Sequence, residues 1–468
     1  MIKERVKKVI FLLPVPIQKR FYSLAKKSLS CYRILRGPSE YPQNCVSGML
    51  DSKEYASAKE LILKELSLVG EYAPYIKDFN APLPPVATRP NRLPDGVLFV
   101  KIMKELGSEL PDIVLLCPWL IRGGADLMVL NIANTLSLLG KKVLIITTET
   151  KPSDWVSSLS NKVKLIEFGI YAKKFSFDKK KYLLARLLIQ LRPEVVHNLQ
   201  SRLGFETFYA YHKSLKNFTK LYASFYADSL NKDGLRRGFV SRYLQSLSPN
   251  LDSIISDQPV NPKEYERMFG IPAERWKVLY GLVESCKRKN ISSSQKNGLL
   301  WASRFDDSKL PNLLEEIILN FPEIHFHIYG APYKEELKKK YDRLKKIKNV
   351  TLYGAYNSFA QINKEEVFCF LYTSESDGLP NVLLEAAAEG IPIISSSVGG
   401  IRSFLNDKNS WLVPTNDISD FTFAIRNAFN NKEESLKKAE QAQLLVMERH
   451  SKENFIQSVK NIYKIEST

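Results

Sequence analysis

From residue 112 onward, runs that are apolar throughout alternate with segments whose apolar positions recur every three or four residues. "DIVLLCPWL" (112–120) is a continuous apolar run between turn signals and predicts a buried strand. "DLMVLNIANTLSLLG" (126–140) has helical spacing and stops at Gly140, and "KKVLIITTET" (141–150) predicts a second strand. "YLLARLLIQLRPEVVHNLQ" (182–200) predicts a helix, then a strand, with Pro193 at the junction. Near residue 298 the rhythm begins again with "GLLWASRF", "LLEEIILNF", "IHFHIYGA", "VTLYGAY", "VFCFLYTS", "NVLLEAAAEG" and "IPIISSSVGG". Apolar strands separated by amphipathic helices predict a parallel sheet covered on both faces. The expected fold class is therefore α/β, with two doubly wound, Rossmann-like domains side by side. Ligands of such open sheets bind in the cleft at the carboxyl edges of the strands.

The first hundred residues read differently. "MIKERVKKVIFLLPVPIQKRFYSLAKKSLSCYRILRG" mixes Lys and Arg with aromatic and aliphatic residues. "SKEYASAKELILKELSLVGEYA" (52–73) has helical spacing, and "NAPLPPVATRPNRLPDG" (80–96) is too rich in proline for helix or central strand. Four parts are expected: a basic, mainly helical extension and linker at 1–110, an acceptor domain at 111–277, a donor domain at 278–445, and a C-terminal helix at 446–468 packing back on the first domain. A length of 468 residues suits more than one core. Hydrophobic and charged fractions are ordinary, but the net charge of +18 is not. Ten Lys and Arg against Glu4 and Glu40 put +8 in the first forty residues, leaving +10 for the rest. Such an excess favours anionic partners. Residues 1–36 read either as a segment lying on an anionic membrane surface or as a basic helix docked on its own protein. "VIFLLPVPI" (9–17) is too short to span a bilayer and no small-residue cleavage site follows it. The five cysteines show no CxxC pairing, which suits a reduced, cytoplasmic chain. A nucleic-acid partner is not expected, because no aromatic-basic recognition module accompanies the charge.

The chemistry concentrates in "SESDGLPNVLLEAAAEGIPIISSSVGG" (374–400). Pro380 suits a first helical turn and Gly390 the position past the end, so a helix is expected from Pro380 to Glu389. Glu385 lies early in it among Val382, Leu383, Leu384, Ala386, Ala387 and Ala388. A carboxylate leaning back toward the ligand edge can accept hydrogen bonds from the vicinal hydroxyls of a ribose. Alternatively, Glu385 shares a solvated stripe with Asn381 and Glu389. Asp377, in the loop before the helix, is placed to accept from a sugar hydroxyl. Gly399 and Gly400 let backbone amides approach an anion.

Taken together, this stretch resembles the donor-binding signature of retaining, GT-B-fold glycosyltransferases of family 4: an acid followed by Gly, a Pro-Asn-Val-Leu start, a Glu eight positions after the first acid, and a Gly-Gly loop. The resemblance covers most of residues 112–465. "WLIRGGADLMVLNIANTLSLLGKKVLIIT" is similar to the family's first Gly-Gly loop and its helix, "RPEVVHNL" to its Asp-Val-Val-His strand end, and "LLWASRFDDSKLPNLLEEI" to the segment whose Arg and Lys hold the donor diphosphate. The resemblance implies Arg304, Lys309, Asp377 and His197 as catalytic residues. It implies Gly123, Gly124, Gly330, Gly378, Leu379, Pro380, Glu385, Gly399 and Gly400 as donor-binding residues. On position alone, Arg304 and Lys309 also read as an exposed pair with Asp306 and Asp307. No Asp-x-Asp stands beside this segment, so no metal ligand and no cofactor are expected. His325 and His327 read as residues on one face of a strand.

The implied reaction moves a sugar, with retention, from a nucleotide-sugar donor to a glycan or polyprenyl-linked acceptor. The setting would be bacterial cell-surface polysaccharide synthesis at the inner face of the membrane. The basic stretch "NKDGLRRGFVSRYL" (231–244) reads as an acceptor contact or a solvated loop. This chain departs from the family pattern at Leu199, Ser403, Gly281-Leu282 and Asp377, where the family's first acid is usually Glu. A non-catalytic GT-B binding protein and a nucleotide-sugar epimerase remain the alternatives.

Overall fold

The computed structural model describes residues 94–466, apart from 108, 122, 227, 231–235, 285–295, 333 and 415. The basic segment 1–36 and the linker up to residue 93 therefore lie outside the described residues, while the last three residues of the proline-rich stretch, Pro94 to Gly96, open a helix that its composition did not predict, Pro94 being tolerated at a first helical position. The chain divides into two compact units, Met1–Glu105 and Leu106–Thr468. Helix α1 (Pro94–Leu106) closes the described part of the first, and everything below concerns the second.

The first domain is built from β1 (Ile113–Cys117), α2 (Gly124–Leu138), β2 (Val143–Thr147), β3 (Lys164–Ile166), α3 (Phe177–Leu191), β4 (Val195–Leu199), α4 (Arg202–Leu215), β5 (Lys220–Ser224), α5 (Phe239–Leu247), β6 (Ser253–Ser256), α6 (Val260–Phe269) and β7 (Trp276–Val278). Its seven strands run in the order β3-β2-β1-β4-β5-β6-β7, every pairing parallel. Ile113 stands opposite Val143 on one side and Val195 on the other, so strand order reverses at β1. That reversal opens a crevice at the carboxyl edge. β1, β2 and β4 are buried at every position, as strands covered on both faces must be. Helix starts follow from capping: the Ser176 hydroxyl accepts from the Lys179 amide, and Ser201 does the same for Gly204.

The second domain contains β8 (Gly298–Ala302), α7 (Pro311–Asn320), β9 (Phe326–Tyr329), α8 (Glu335–Leu344), β10 (Val350–Gly354), β11 (Val367–Tyr372), α9 (Asn381–Ala388), β12 (Ile393–Ser396), β13 (Trp411–Val413) and α10 (Ile418–Asn430). Its six strands run β10-β9-β8-β11-β12-β13, again all parallel, with the reversal at β8. Period-two alternation sends Leu300 and Ala302 into one core layer and Leu299 and Trp301 into the other. α9 is one residue shorter at each end than its sequence pattern suggests. Pro380 precedes it in extended conformation and Glu389 caps it, before Gly390 turns left-handed at φ 71°.

Two chain crossings join the domains. Helix α11 (Lys432–His450) packs Ala442 and Val446 into the second core. Helix α12 (Lys452–Tyr463) returns to the first sheet, where Phe455, Val459, Ile462 and Tyr463 join its core. The crossings are tied together, since the Val283 amide donates to the His450 carbonyl at 3.0 Å and His450 Nδ1 meets the Gly281 carbonyl oxygen at 2.8 Å. The carboxyl ends of β1, β6, β8 and β11 thus face one another across the junction.

Candidate active site

β8 ends at Ala302, and the chain passes through Arg304 into a tight turn at Asp307–Lys309. That turn is locked from behind. Thr373 Oγ1 donates to the Lys309 carbonyl at 2.7 Å and itself accepts from Trp301 Nε1 at 3.1 Å. The result carries Lys309 inward. Only 5% exposed, its ammonium donates to Tyr372 Oη at 2.8 Å, to Ser374 Oγ at 3.3 Å and to Asp377 Oδ2. A buried cation needs such company, because desolvation disfavours it otherwise. Arg304 is different. Its side chain is 80% exposed, and its guanidinium stands 3.7 Å from the Asp306 carboxylate. The surface-pair reading of these two cations therefore fails for Lys309 and describes Arg304 as it stands.

Asp377 is already engaged by the protein. Oδ2 accepts from Lys309 and from the Tyr372 hydroxyl, and Oδ1 accepts from the Gly378 amide at 2.9 Å. Burial and the Asp377 charge hold the Tyr372 phenol well above its usual range, so it stays a donor. Three of the roughly four acceptor positions of this carboxylate are therefore used, one stays open on Oδ1, and the side chain keeps 29% of its exposure.

The Gly399-Gly400 pair also has a role other than the one expected. A Cβ on Gly399, at φ 50°, would lie 1.9 Å from the Asp377 carbonyl oxygen. A Cβ on Gly400 would lie 2.8 Å from the Gly378 carbonyl carbon, and the Gly400 amide donates to the Asp377 carbonyl at 3.2 Å. Gly400 thus offers no free amide to an anion. The pair supports the Asp377–Gly378–Leu379 backbone from below and leads it into Pro380 and α9. Gly330, at φ 134°, similarly lets its backbone close on the Ser303 carbonyl, 1.9 Å from where a Cβ would sit.

Glu385 sits in α9 with buried neighbours on either side, on the partly exposed stripe it shares with Asn381 and Glu389. Burial pushes its carboxyl up to about 7, with the Glu284 charge adding to the effect and Lys364 opposing it. It is not a freely solvated acid.

The first domain contributes the N-terminus of α2. Gly123 caps it without a side-chain bond. A Cβ there would lie 2.8 Å from Asp126 Oδ2, so the Asp126 carboxyl folds back toward the amides that the Gly123-Gly124 loop was expected to present to phosphate. A Cβ on Gly124 would meet Asn381 Nδ2 at 3.4 Å, which puts this loop against the start of α9. Asp257, directly after β6, stands against the donor loop from the same side. A Cβ on Gly378 would lie 3.7 Å from its Oδ2. Burial raises its carboxyl to about 7. Its own amide and the Ser256 hydroxyl oppose that rise, and the Asp377 charge adds to it. Sequence reading missed Asp126, Asp257 and Tyr372. The available signal for Asp257 was an acid placed just past "SIIS", the ligand end of a parallel strand.

His197 must be removed from the catalytic set. It is 0% exposed, with Nδ1 2.6 Å from Tyr463 Oη and Nε2 2.9 Å from Ser224 Oγ, and burial lowers it to about 3. Both nitrogens are engaged, so it bolts β4 and β5 to α12 rather than facing a ligand. His325 and His327 bond Thr351 and Tyr353 on the neighbouring strand. Among the described residues, no group of three His, Cys, Asp or Glu side chains could hold a metal. In the stretch 231–244, Arg242 pairs with Glu206 at 3.3 Å, while 231–235 lie outside the described residues.

The raised acids have a measurable consequence. Burial lifts the Asp126 carboxyl to about 7, opposed by its own amide. Folded, it holds its proton to about pH 7, whereas unfolded it loses it near the usual 3.8. The folded state therefore binds more protons between these values, and stability falls as pH rises through the window. Asp126→Asn removes one such slope. Melting points taken across the window should vary less with pH in this variant than in wild type, and an equal slope would mean that Asp126 is solvated.

Two Rossmann-like domains facing across a cleft define the GT-B fold, and this chain has it. Residues 296–431 match the family described as Glycosyl transferases group 1, so the second domain carries a group 1 domain. The chain is 25% identical over 169 residues to "Sulfoquinovosyl transferase SQD2" of Arabidopsis thaliana, a match covering 35% of this chain and 32% of that protein. It is 27% identical over 195 residues to "O-antigen biosynthesis glycosyltransferase WbnH" of Escherichia coli, covering 42% of this chain and 54% of that one. The chain thus spans about a third of the first relative and about half of the second. Among solved structures, Anabaena Alr3699/HepE in complex with UDP and glucose aligns with TM-score 0.61 at 14% identity, over 75% of this chain and 98% of that one. A glycosyltransferase from Rickettsia africae aligns with TM-score 0.61 at 16% identity, over 76% and 98%. At these identities the structural likeness speaks for the fold.

Proposed function

We propose that this protein is a glycosyltransferase that moves a sugar from a nucleoside-diphosphate donor to a glycan or lipid-linked acceptor, with retention of configuration and without a metal. The observation that carries the reading is Lys309: an ammonium 5% exposed, fixed by three side chains at the carboxyl edge of β8 and β11 inside the group 1 domain. When the bond between the sugar's anomeric carbon and the diphosphate breaks, negative charge grows on the leaving oxygens. A cation fixed in a poorly solvated site stabilises that charge far better than one in water. Arg304, at the same strand end and exposed, supplies a solvent-facing fork for phosphate oxygens. The acceptor hydroxyl attacks the anomeric carbon from the face the diphosphate leaves, and its proton passes to a donor phosphate oxygen.

Glu385 is the proposed ribose contact, since a carboxylate that accepts hydrogen bonds from two hydroxyls recovers part of what burial removed. Two relatives named for O-antigen biosynthesis support a place in polysaccharide assembly. No described helix is long and apolar enough to cross a membrane, and the proposed membrane contact through 1–36 concerns residues outside the described set.

The test is melting-point protection by UDP-, GDP- and ADP-glucose, because a bound ligand raises the melting point by mass action. Protection by one base class is the expected result, and protection by none overturns the donor assignment. Glu385→Gln should weaken the free diphosphate about tenfold while the unliganded melting point holds. Unchanged affinity in a protein that melts early would make Glu385 a structural residue.

A further inference from the structure

We propose that Asp257 binds a hydroxyl of the donor's sugar and so decides which sugar the site accepts. The inference rests on the donor reading above and extends it to the sugar.

Three observations lead there. Asp257 follows β6 at the carboxyl edge of the first sheet and stands against the donor loop of the second domain, 3.7 Å from where a Gly378 Cβ would lie. The helix that follows it, α6, touches the Gly399–Ser403 turn that supports the same loop. Oδ1 of Asp257 is sealed from solvent and has no hydrogen-bond partner on the protein among the described residues. Buried acceptors are nearly always paired, and one left unpaired costs stability. A carboxylate kept in that condition at a ligand edge is a group waiting for a donor that the chain does not provide. Asp377, the acid that sequence reading chose for this task, already holds Lys309, Tyr372 and the Gly378 amide in three of its roughly four acceptor positions. Oδ1 of Asp257, by contrast, holds none.

The physics suits specificity. Entry of the donor parts the Asp257 carboxyl from the Gly378 backbone and puts a sugar between them. A sugar with a hydroxyl directed at Oδ1 completes the pair. An epimer with that hydroxyl turned away leaves the carboxylate buried and unpaired, a state that hydrogen-bonding sites reject strongly.

Wild type, Asp257→Asn and Asp257→Ala are titrated with UDP, GDP and ADP, then with the glucose, galactose and N-acetylglucosamine conjugates of whichever diphosphate binds. Both variants should hold the free diphosphate within about twofold of wild type. Asp257→Ala should bind the preferred conjugate about tenfold more weakly and lose its ranking of the three sugars, as expected when a hydrogen bond to a charged group is removed. Asp257→Asn, which keeps one acceptor oxygen, should fall between. The unliganded melting point separates this from a structural role: removing an unpaired buried acid leaves it equal or higher, whereas removing a paired one lowers it. An intact ranking of sugars with intact diphosphate binding overturns this inference alone. Failure of wild type to bind any diphosphate overturns the donor reading beneath it.

Discussion

Lys309→Ala should lower turnover by about two to three orders of magnitude, the usual cost of removing one group aimed at developing negative charge. The size follows from its setting. Lys309 is 5% exposed and held by Tyr372, Ser374 and Asp377, so its charge is already fixed and poorly solvated at the strand end when the diphosphate leaves. The same setting makes the variant liable to lose stability, since it strands the Asp377 carboxylate. Asp377 keeps 29% of its side-chain exposure, so solvent screens part of that loss. The double variant Lys309→Ala with Asp377→Asn removes both charges. It should recover the melting point without recovering turnover. Arg304→Ala is the cleaner companion, because an 80% exposed side chain leaves the fold without damage. Single-turnover rates in these variants are the measurement. Near-normal rates in both Lys309→Ala and Arg304→Ala would remove the diphosphate from this edge of the sheet.

The second large effect is a methyl group at Gly399. Alanine there faces a left-handed φ of 50° and a Cβ 1.9 Å from the Asp377 carbonyl oxygen. No real Cβ tolerates that approach, so the Asp377–Leu379 loop must shift, carrying with it the acid that holds Lys309. A displacement of about 1 Å at a positioning loop costs about a hundredfold in rate. The left-handed backbone adds strain of about 1 kcal/mol for a non-glycine residue. Gly140→Ala is the control. It also has a left-handed φ, 81°, but its Cβ would meet nothing within 4 Å, and it lies at the far end of α2. It should show the strain in its melting point and leave turnover unchanged. Full turnover in Gly399→Ala would separate the Gly-Gly turn from the donor loop.

Much of the architecture was legible because a strand buried on both faces has no polar positions to hide. "IVLLC", "VLIIT" and "VFCFLY" could belong only to the middle of covered parallel sheets, and they do. The turn residues were equally plain, as Gly390 past α9 shows. The side-chain roles were harder to read. His197 was expected at a strand end and lies in the middle of β4, and only the return of α12, from 266 residues away, puts Tyr463 against its ring. Asp377 looked like an open acceptor until the fold brought Lys309 and Tyr372 onto it.

Local order along the chain therefore determined the two sheets, their helices and the loop that carries the acids, because periodicity and turn chemistry act between near neighbours. Which acids are held by the protein's own donors and which carry an unpartnered oxygen was decided only in three dimensions. Hydrogen-bond partners of buried groups come from distant segments, and a carboxylate surrounded by donors has the same neighbours in sequence as one without them. Lys309 and Asp377 are 68 residues apart, and Asp257 reaches Gly378 from the other domain.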